Sequence, residues 1–213
     1  MPELTIFKAV LRASDGGIYG LHVAQDFYFM RAPKLFISIM NPPRKNDGQE
    51  KKSRYAKMFL DPDSDGIHLI RKLRMGVSHL RSHAERLDLC KIYKGGKDHQ
   101  RRYGVDIVSR ILTLYAEKNR ILLKIEISKG EQKQARNKEG ALVPGVVKPA
   151  GGSPLASVSY ALNEDAALDL AFALEKEYAA WRCALNMDFL QHPEKYAYTA
   201  PASSTFGHPS QRP

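Results

Sequence analysis

The chain has 213 residues, of which 43% are hydrophobic, and its 33 lysines and arginines exceed its 23 acidic residues to give a formal net charge of +10. This length can bury a substantial core, and the charge favours a polyanionic partner, above all a nucleic acid. No segment approaches the roughly 18 apolar residues of a membrane span, no signal peptide is visible, and the two cysteines have neither metal-ligand nor disulfide spacing. We therefore expect a cytoplasmic protein that has no membrane partner.

The first part of the chain is predicted to form β-strands. Residues 4–13, LTIFKAVLRA, alternate and are rich in branched side chains. GIYGLHVAQDF and the segment that ends in KLFISIM follow, with Pro33 marking an edge strand or a break between extended pieces. After a polar loop at 42–54, YAKMFL at 55–60 predicts another strand. In KLFISIM the alternation places three apolar residues on one face: Leu35, Ile37 and Ile39.

The next segment, DPDSDG at 61–66, matches the opening of an EF-hand calcium loop. Its twelfth position is Lys72, where a calcium site needs a closing carboxylate, so we predict that it binds no calcium. Apolar residues then recur at helical spacing among basic ones, which predicts a basic helix over 67–86. We expect Ser64 or Asp65 to cap this helix, because acceptors and negative charge stabilise a helix N-terminus.

The second half repeats this order of elements. Residues 106–128 predict two strands around the turn AEKN, and 156–163 predict a further strand. Between them, 129–154 is predicted to be a long loop, mobile in the free protein, that holds at most one short strand near 141–147. A strong helix is predicted over 164–185.

We therefore expect an α+β fold made of two pseudo-repeated units, each of about four antiparallel strands followed by a helix. A single domain would occupy residues 1–190, with half-units at about 4–88 and 89–187. Residues 191–213 are rich in Pro, Ser and Ala, which predicts a flexible tail.

No catalytic motif stands out, because the chain has no nucleophile elbow, Walker loop or glycine fingerprint. His79 and His83 have the spacing of a zinc-binding pair, but Leu80 stands where that motif needs a glutamate. Cys90 is interpreted as a small core residue, since no catalytic partner can be assigned to it. We therefore predict no enzyme activity, no cofactor and no bound metal.

Basic and aromatic residues occur side by side on several predicted strands. Single-stranded nucleic acids are bound by such surfaces, since bases stack on the rings while lysines and arginines follow the phosphates. The candidate nucleic-acid-binding residues are Lys8, Arg12, Tyr28, Arg31, Lys34, Phe36, Arg54, Tyr55, Lys57, Arg110, Tyr115 and Lys124.

Two segments, RYAKMFLDPDSDGIHLIRKL and ASVSYALNEDAALDLAFALEK, each run from the last strand of a unit into its helix. Four strands and a helix, twice in one chain, resemble the Whirly fold and the related positive-cofactor-four coactivators. The resemblance spans about residues 4–187 and lies in the order of elements. It implies outward-facing sheets that bind single-stranded DNA or RNA largely independently of sequence, in replication, recombination or transcription. It also implies a homo-oligomer, either a dimer or a tetramer.

Two other functions stay open. A double-stranded DNA-binding transcriptional regulator would insert the basic helix 67–86 into a major groove. A magnesium-dependent nuclease would gather metal ligands at Asp61, Asp63 and Asp65.

Overall fold

A computed structural model of the chain describes residues 3–12, 18–26, 34–42, 54–82, 85–97, 103–136 and 142–193. The predicted site residues Tyr28 and Arg31, His83, and most of the predicted tail lie outside these ranges. The chain divides into two compact units, Met1–Tyr178 and Ala179–Pro213. Its described elements, in chain order, are β1 Glu3–Arg12, β2 Ile18–Asp26, β3 Lys34–Asn41, β4 Arg54–Leu60, a π-helical turn Pro62–Gly66, α1 Ile67–Ser82, β5 Leu87–Lys97, β6 Ile107–Glu117, β7 Arg120–Arg136, β8 Leu142–Pro149, β9 Ala156–Leu162 and α2 Glu164–Gln191.

The structure confirms a mixed α+β protein with two antiparallel sheets. Sheet 1 contains β1, β2, β3 and β4 in sequence order, each pairing with the next. Side chains alternate between the two faces of each strand, so one face can be wholly apolar. The predicted face of β3 is confirmed: Leu35, Ile37 and Ile39 are buried, and Val23 on β2 and Met58 on β4 are buried with them.

Sheet 2 has five strands, one more than the sequence predicted. Its order is β5, β6, β7 and β8, and β9 pairs with β7 beside that path. The unpredicted strand is β5, whose pairing with β6 shifts register between Asp88 and Cys90. A bulge of this kind interrupts the two-residue alternation, so Leu87, Leu89 and Ile92 do not form the regular pattern of a strand.

The predicted loop over 129–154 is wrong over most of its length. Strand β7 continues to Arg136 and pairs with β8, and the predicted short strand near 141–147 is confirmed by β8. The far part of β7 carries exposed polar side chains from Glu131 to Gln134, because this hairpin extends beyond the core. Polar residues on both faces give no alternation for sequence reasoning to detect.

Helix α1 follows sheet 1 in sequence but packs against β5, β6 and β7 of sheet 2. Gly76 permits a close approach, since a Cβ atom there would lie 2.7 Å from Leu89 Cδ1 and 2.9 Å from Ile121 Cδ1. The described part of the helix runs to Ser82, and Glu85 and Arg86 are not helical, so the helix is shorter than the predicted end at 86.

Helix α2 continues to Gln191, past its predicted end at 185, and Asn163 Oδ1 accepts a hydrogen bond from Ala166 N at 2.9 Å as an N-cap. Among the described residues, no helix is both long enough and apolar enough to cross a membrane.

Candidate nucleic-acid interface

Sheet 1 has an outer face, opposite the buried Leu21, Ile37 and Met58. Its register sets Lys8, His22, Ser38 and Lys57 side by side in one row across all four strands. Paired residues of an antiparallel sheet point to the same side, and side chains alternate along each strand. Every second row of paired residues on either side of this one therefore belongs to the same face. Among its described side chains, the charged and aromatic ones are Lys8, Arg12, His22, Lys34, Phe36, Tyr55, Lys57 and Phe59.

Direct contacts between side chains support this assignment of the outer face. Thr5 Oγ1 and His22 Nε2 are hydrogen-bonded at 3.0 Å. The His22 and Phe36 rings meet edge to face with centroids 5.7 Å apart, and Phe36 meets Phe59 at 6.0 Å. The contacts form a continuous chain across the four strands, so the outer face is an ordered surface.

Lys57 lies over two of these rings, with its Nζ 3.4 Å from the Phe36 centroid and 5.2 Å from the Phe59 centroid. Phe36 is therefore 2% exposed and is not an open stacking surface, contrary to the prediction. Tyr55 and Phe59 are exposed instead, at 37% and 44%. Sequence reasoning missed Phe59, although its position four residues after Tyr55 in YAKMFL places both on one face of a strand.

The outer face is basic. Among its described side chains the charged ones are Lys8, Arg12, Lys34 and Lys57, and none is acidic. Such a surface attracts phosphate groups.

Arg54 does not belong to this surface. It pairs with Asn41, which is 8% exposed and shares the face of Ile37 and Ile39. With its amide oriented to donate, Asn41 reaches Ser159 O on β9 at 2.9 Å. Arg54 therefore points to the side of sheet 1 that faces β9, and the predicted grouping of Arg54 with Tyr55 and Lys57 is wrong.

The predicted residues on sheet 2 fall on two faces: Tyr115 and Lys124 share one, and Arg110 lies on the other. Arg110 pairs with Ile127 on the face that carries the core, whereas Tyr115 lies on the opposite face of the same strand. The guanidinium carbon of Arg86 lies 4.2 Å from the Tyr115 ring centroid, and Lys124 forms an ion pair with Glu126 at 2.9 Å. Tyr115 and Lys124 therefore already have partners within the protein.

The acidic turn at 61–66 begins α1, as predicted, but Asp61 is the cap instead of Ser64 or Asp65. Asp61 Oδ1 accepts from Ser64 N at 3.0 Å, and Asp61 N donates to Asp65 Oδ2 at 2.8 Å. The hydrogen bond from the Ser64 N–H is the main cause that lowers the pKa of the Asp61 carboxyl.

The other acids of this turn also contact protein donors. Asp65 Oδ2 forms an ion pair with Lys94 Nζ at 2.5 Å, and Asp63 Oδ1 accepts from the Tyr178 hydroxyl at 2.9 Å. Within the described ranges, no group of three or more histidine, cysteine or acidic side chains could hold a metal ion. These contacts give the acids structural roles and lend no support to a nuclease site.

Two of the basic residues of helix α1 are paired with acidic residues of α2. Arg74 donates to Glu175 at 2.5 Å, and Arg81 forms an ion pair with Glu164, so two of its bases are held by α2. The order of these contacts makes the two helices antiparallel. A recognition helix that enters a major groove needs a free face, and these contacts occupy part of it.

Cys90 and His79, which the sequence raised as a nucleophile and a metal ligand, have defined surroundings. Burial raises the pKa of the Cys90 thiol to about 11, so it is protonated at neutral pH. His79 Nε2 lies 2.9 Å from the Glu85 carbonyl oxygen, which satisfies one ring nitrogen. The core interpretation of Cys90 therefore agrees with its environment.

No protein-family model matches the chain, and no curated protein matches it at a significant level.

Proposed function

We propose that the protein binds single-stranded nucleic acid, most simply single-stranded DNA, on the outer face of sheet 1, largely independently of sequence and without chemistry. One observation carries the proposal: Tyr55 and Phe59 are exposed on the same strand face that holds Lys57, Lys8 and Arg12, and no described side chain of that face is acidic. Rings and cations on one ordered sheet are what a single strand requires.

The expected energetics follow from the two kinds of side chain. A base stacked on an exposed ring contributes about 1–3 kcal/mol whatever its identity, because every base has a flat face. Each neutralised phosphate releases counterions, so binding weakens as salt is added, with a log–log slope of roughly −0.7 per contact on single strands. Neither term reads base edges, which is why we expect little sequence preference.

The finer description of the fold belongs to the same proposal: the two halves form a Whirly-like repeat. The order of elements supports it, because β4 runs into α1 and β9 runs into α2. The extra strand β5 and the extended β7–β8 hairpin are additions to that plan. Assembly into a dimer or tetramer, a role in replication, recombination or transcription, and a cytoplasmic location stay predictions.

Fluorescence polarisation of the full chain with labelled single-stranded and double-stranded DNA and RNA, across a range of salt concentrations, tests the function. We expect single strands to bind more tightly than duplexes of the same length and to dissociate as salt rises. A duplex preference that persists at high salt and depends on Arg71, which is exposed on α1, would favour the groove-binding alternative.

The same surface also exposes apolar side chains, with Val10 at 54% and Ile18 at 42%. Such residues are common where proteins meet. If no nucleic acid binds at low salt, and the protein instead self-associates in a manner abolished by Val10→Glu, the outer face is a protein interface and the proposal is wrong.

A further inference from the structure

The exposed rings of the outer face are confined to one strand. Tyr55 and Phe59 point outward from β4, and Lys57 lies between them in sequence. On the next strand, Phe36 is buried under Lys57, and Ser38 is also buried. A nucleic acid that uses both rings must therefore run along β4.

The far edge of the outer face offers charge without rings. The outward residues of β1 that follow its bulge are Lys8, Val10 and Arg12, and His22 on β2 turns its ring toward Thr5 and Phe36. This edge can attract phosphates at longer range, but Lys8, Val10 and Arg12 offer a base no aromatic ring to stack on. The exposed aromatic rings of the face are therefore the two on β4.

The spacing of the two rings restricts what can occupy them. Four residues along a strand span about 13 Å. Neighbouring nucleotides of a stacked strand rise about 3.4 Å, so bases two apart are only about 7 Å apart. Drawing out the backbone to about twice that rise separates the same bases by about 13 Å and makes room for a ring beside each.

We propose that β4 holds an extended, unstacked single strand that runs parallel to it, with bases two nucleotides apart against Tyr55 and Phe59. The backbone between those bases passes Lys57, whose ammonium group is held 3.4 Å above the Phe36 ring and 5.2 Å from the Phe59 ring. Phe36 is then a positioning residue, which holds the lysine beside the strand through a cation–π contact. This inference rests on the proposed function and specifies its ligand: a single strand whose bases are free to unstack.

The test uses oligonucleotides of constant length and charge whose backbone is abasic except for two thymines. The thymines are separated by no, one, two or three abasic sites, and each oligonucleotide is titrated into the full chain. We expect one intervening site to give the tightest binding, by about five-fold or more, the lower end of what a second stacked base contributes. The protein can bind at any position along the oligonucleotide. The position of the thymine pair is therefore not a variable of the experiment, and only the spacing between the two thymines is changed.

Variants then assign the two positions. Tyr55→Ala and Phe59→Ala should each remove the preference for one intervening site, since only one ring is left. Tyr93→Ala, a ring 54% exposed on sheet 2, should leave the preference unchanged. Thermal melting checks that each variant is folded. If a variant does not fold, the preference of the wild-type protein for one intervening abasic site still tests the proposal.

The outcomes separate this inference from the function on which it rests. Equal binding at every spacing, or tightest binding at another spacing, while ordinary single strands bind normally, would overturn the path along β4 and leave the proposed function standing. If the wild-type protein binds no single-stranded oligonucleotide at all, both proposals are wrong.

Discussion

The outer face of sheet 1 and the face of sheet 2 that carries Tyr115 and Lys124 have similar residue types but arrange their charges differently. On sheet 1 the described charged side chains of that face are all basic. On the corresponding face of sheet 2, Lys124 forms an ion pair with Glu126, and Arg86 forms one with Asp88 at 3.0 Å while it stacks on Tyr115. Two of the basic side chains on this face, Lys124 and Arg86, are therefore paired with acidic ones.

This difference shows that net charge does not by itself locate a binding surface. The excess of ten positive charges belongs to the whole chain, whereas Lys124 on sheet 2 and Arg74 and Arg81 on α1 are each paired with an acidic side chain. Exposed surface ion pairs contribute little to stability, but they reduce the potential that a phosphate would meet. Only the arrangement of acids and bases across strands distinguishes the two faces.

The largest expected effect comes from removing both rings of sheet 1. Tyr55→Ala combined with Phe59→Ala should weaken single-strand binding by about 30-fold or more, since each stacked base contributes about 1–3 kcal/mol. Polarisation titration at one fixed salt concentration measures the loss. The matched control on sheet 2 is Tyr93→Ala, which is expected to bind as the wild type does; an equal loss there would remove the distinction between the faces.

A second prediction tests sheet 2 as a structural support. In Gly76→Val the new side chain would enter the space held by Leu89 Cδ1 and Ile121 Cδ1, so we expect a loss of about 2–3 kcal/mol in the free energy of unfolding. Ser78→Val places the same β-branched residue on the exposed side of α1 and controls for helix propensity. Urea unfolding of the two variants should differ clearly, whereas similar midpoints would mean that α1 does not need this close contact.

A third prediction concerns the turn that joins sheet 1 to α1. Asp61→Ala should cost about 1 kcal/mol of stability at neutral pH, because it removes the N-cap. The folded protein lowers the pKa of Asp61 below its ordinary 3.8, so the ionised cap stabilises the fold above that pH, and the contribution is lost as pH falls through the folded pKa.

The matched variant is Asp61→Asn, because asparagine also caps helices but does not ionise. Thermal melting between pH 7 and about pH 3 should show that the difference between wild type and Asp61→Ala shrinks on acidification. A stability difference that stays constant over this range would show that the charge of Asp61 is not involved.

The smallest expected effect is on the salt dependence of binding. Lys57→Met keeps an unbranched side chain over Phe36 and removes the charge, so the log–log salt slope should fall by roughly 0.7, which is one phosphate contact. Lys91→Met, exposed on sheet 2, should leave the slope unchanged. If both variants change the slope equally, the attraction comes from the whole protein and not from the outer face of sheet 1.

The sequence predicted the regular parts of the fold because alternation within one strand is visible in the letters. β1 and β4 were predicted within one residue of their observed bounds, as was the start of α2. β5 was missed because its bulge breaks the alternation, and the far half of β7 because its side chains are polar on both faces.

The candidate site was predictable only in part, because it depends on the register between strands. Tyr55 and Lys57 could be placed on one face from YAKMFL alone. That Lys57 lies over Phe36 and leaves Phe59 exposed depends on the pairing of β3 with β4, which no single segment encodes. The alternation of side chains along β4 already places Arg54 on the face opposite Tyr55 and Lys57. Its position in the sequence next to other basic and aromatic residues nevertheless led to the prediction that all three share one surface.

The most direct test of the central claim is photo-cross-linking of the full chain to a single-stranded oligonucleotide that carries iodouracil, followed by mass spectrometry of the linked peptides. Iodouracil reacts with an aromatic ring on which it is stacked, so the cross-links report the rings that contact bases. We predict links at Tyr55 and Phe59 on the outer face of sheet 1, reduced by unlabelled single strand. Links that fall instead at Tyr93 or Tyr115 on sheet 2, with none on β4, would contradict the account.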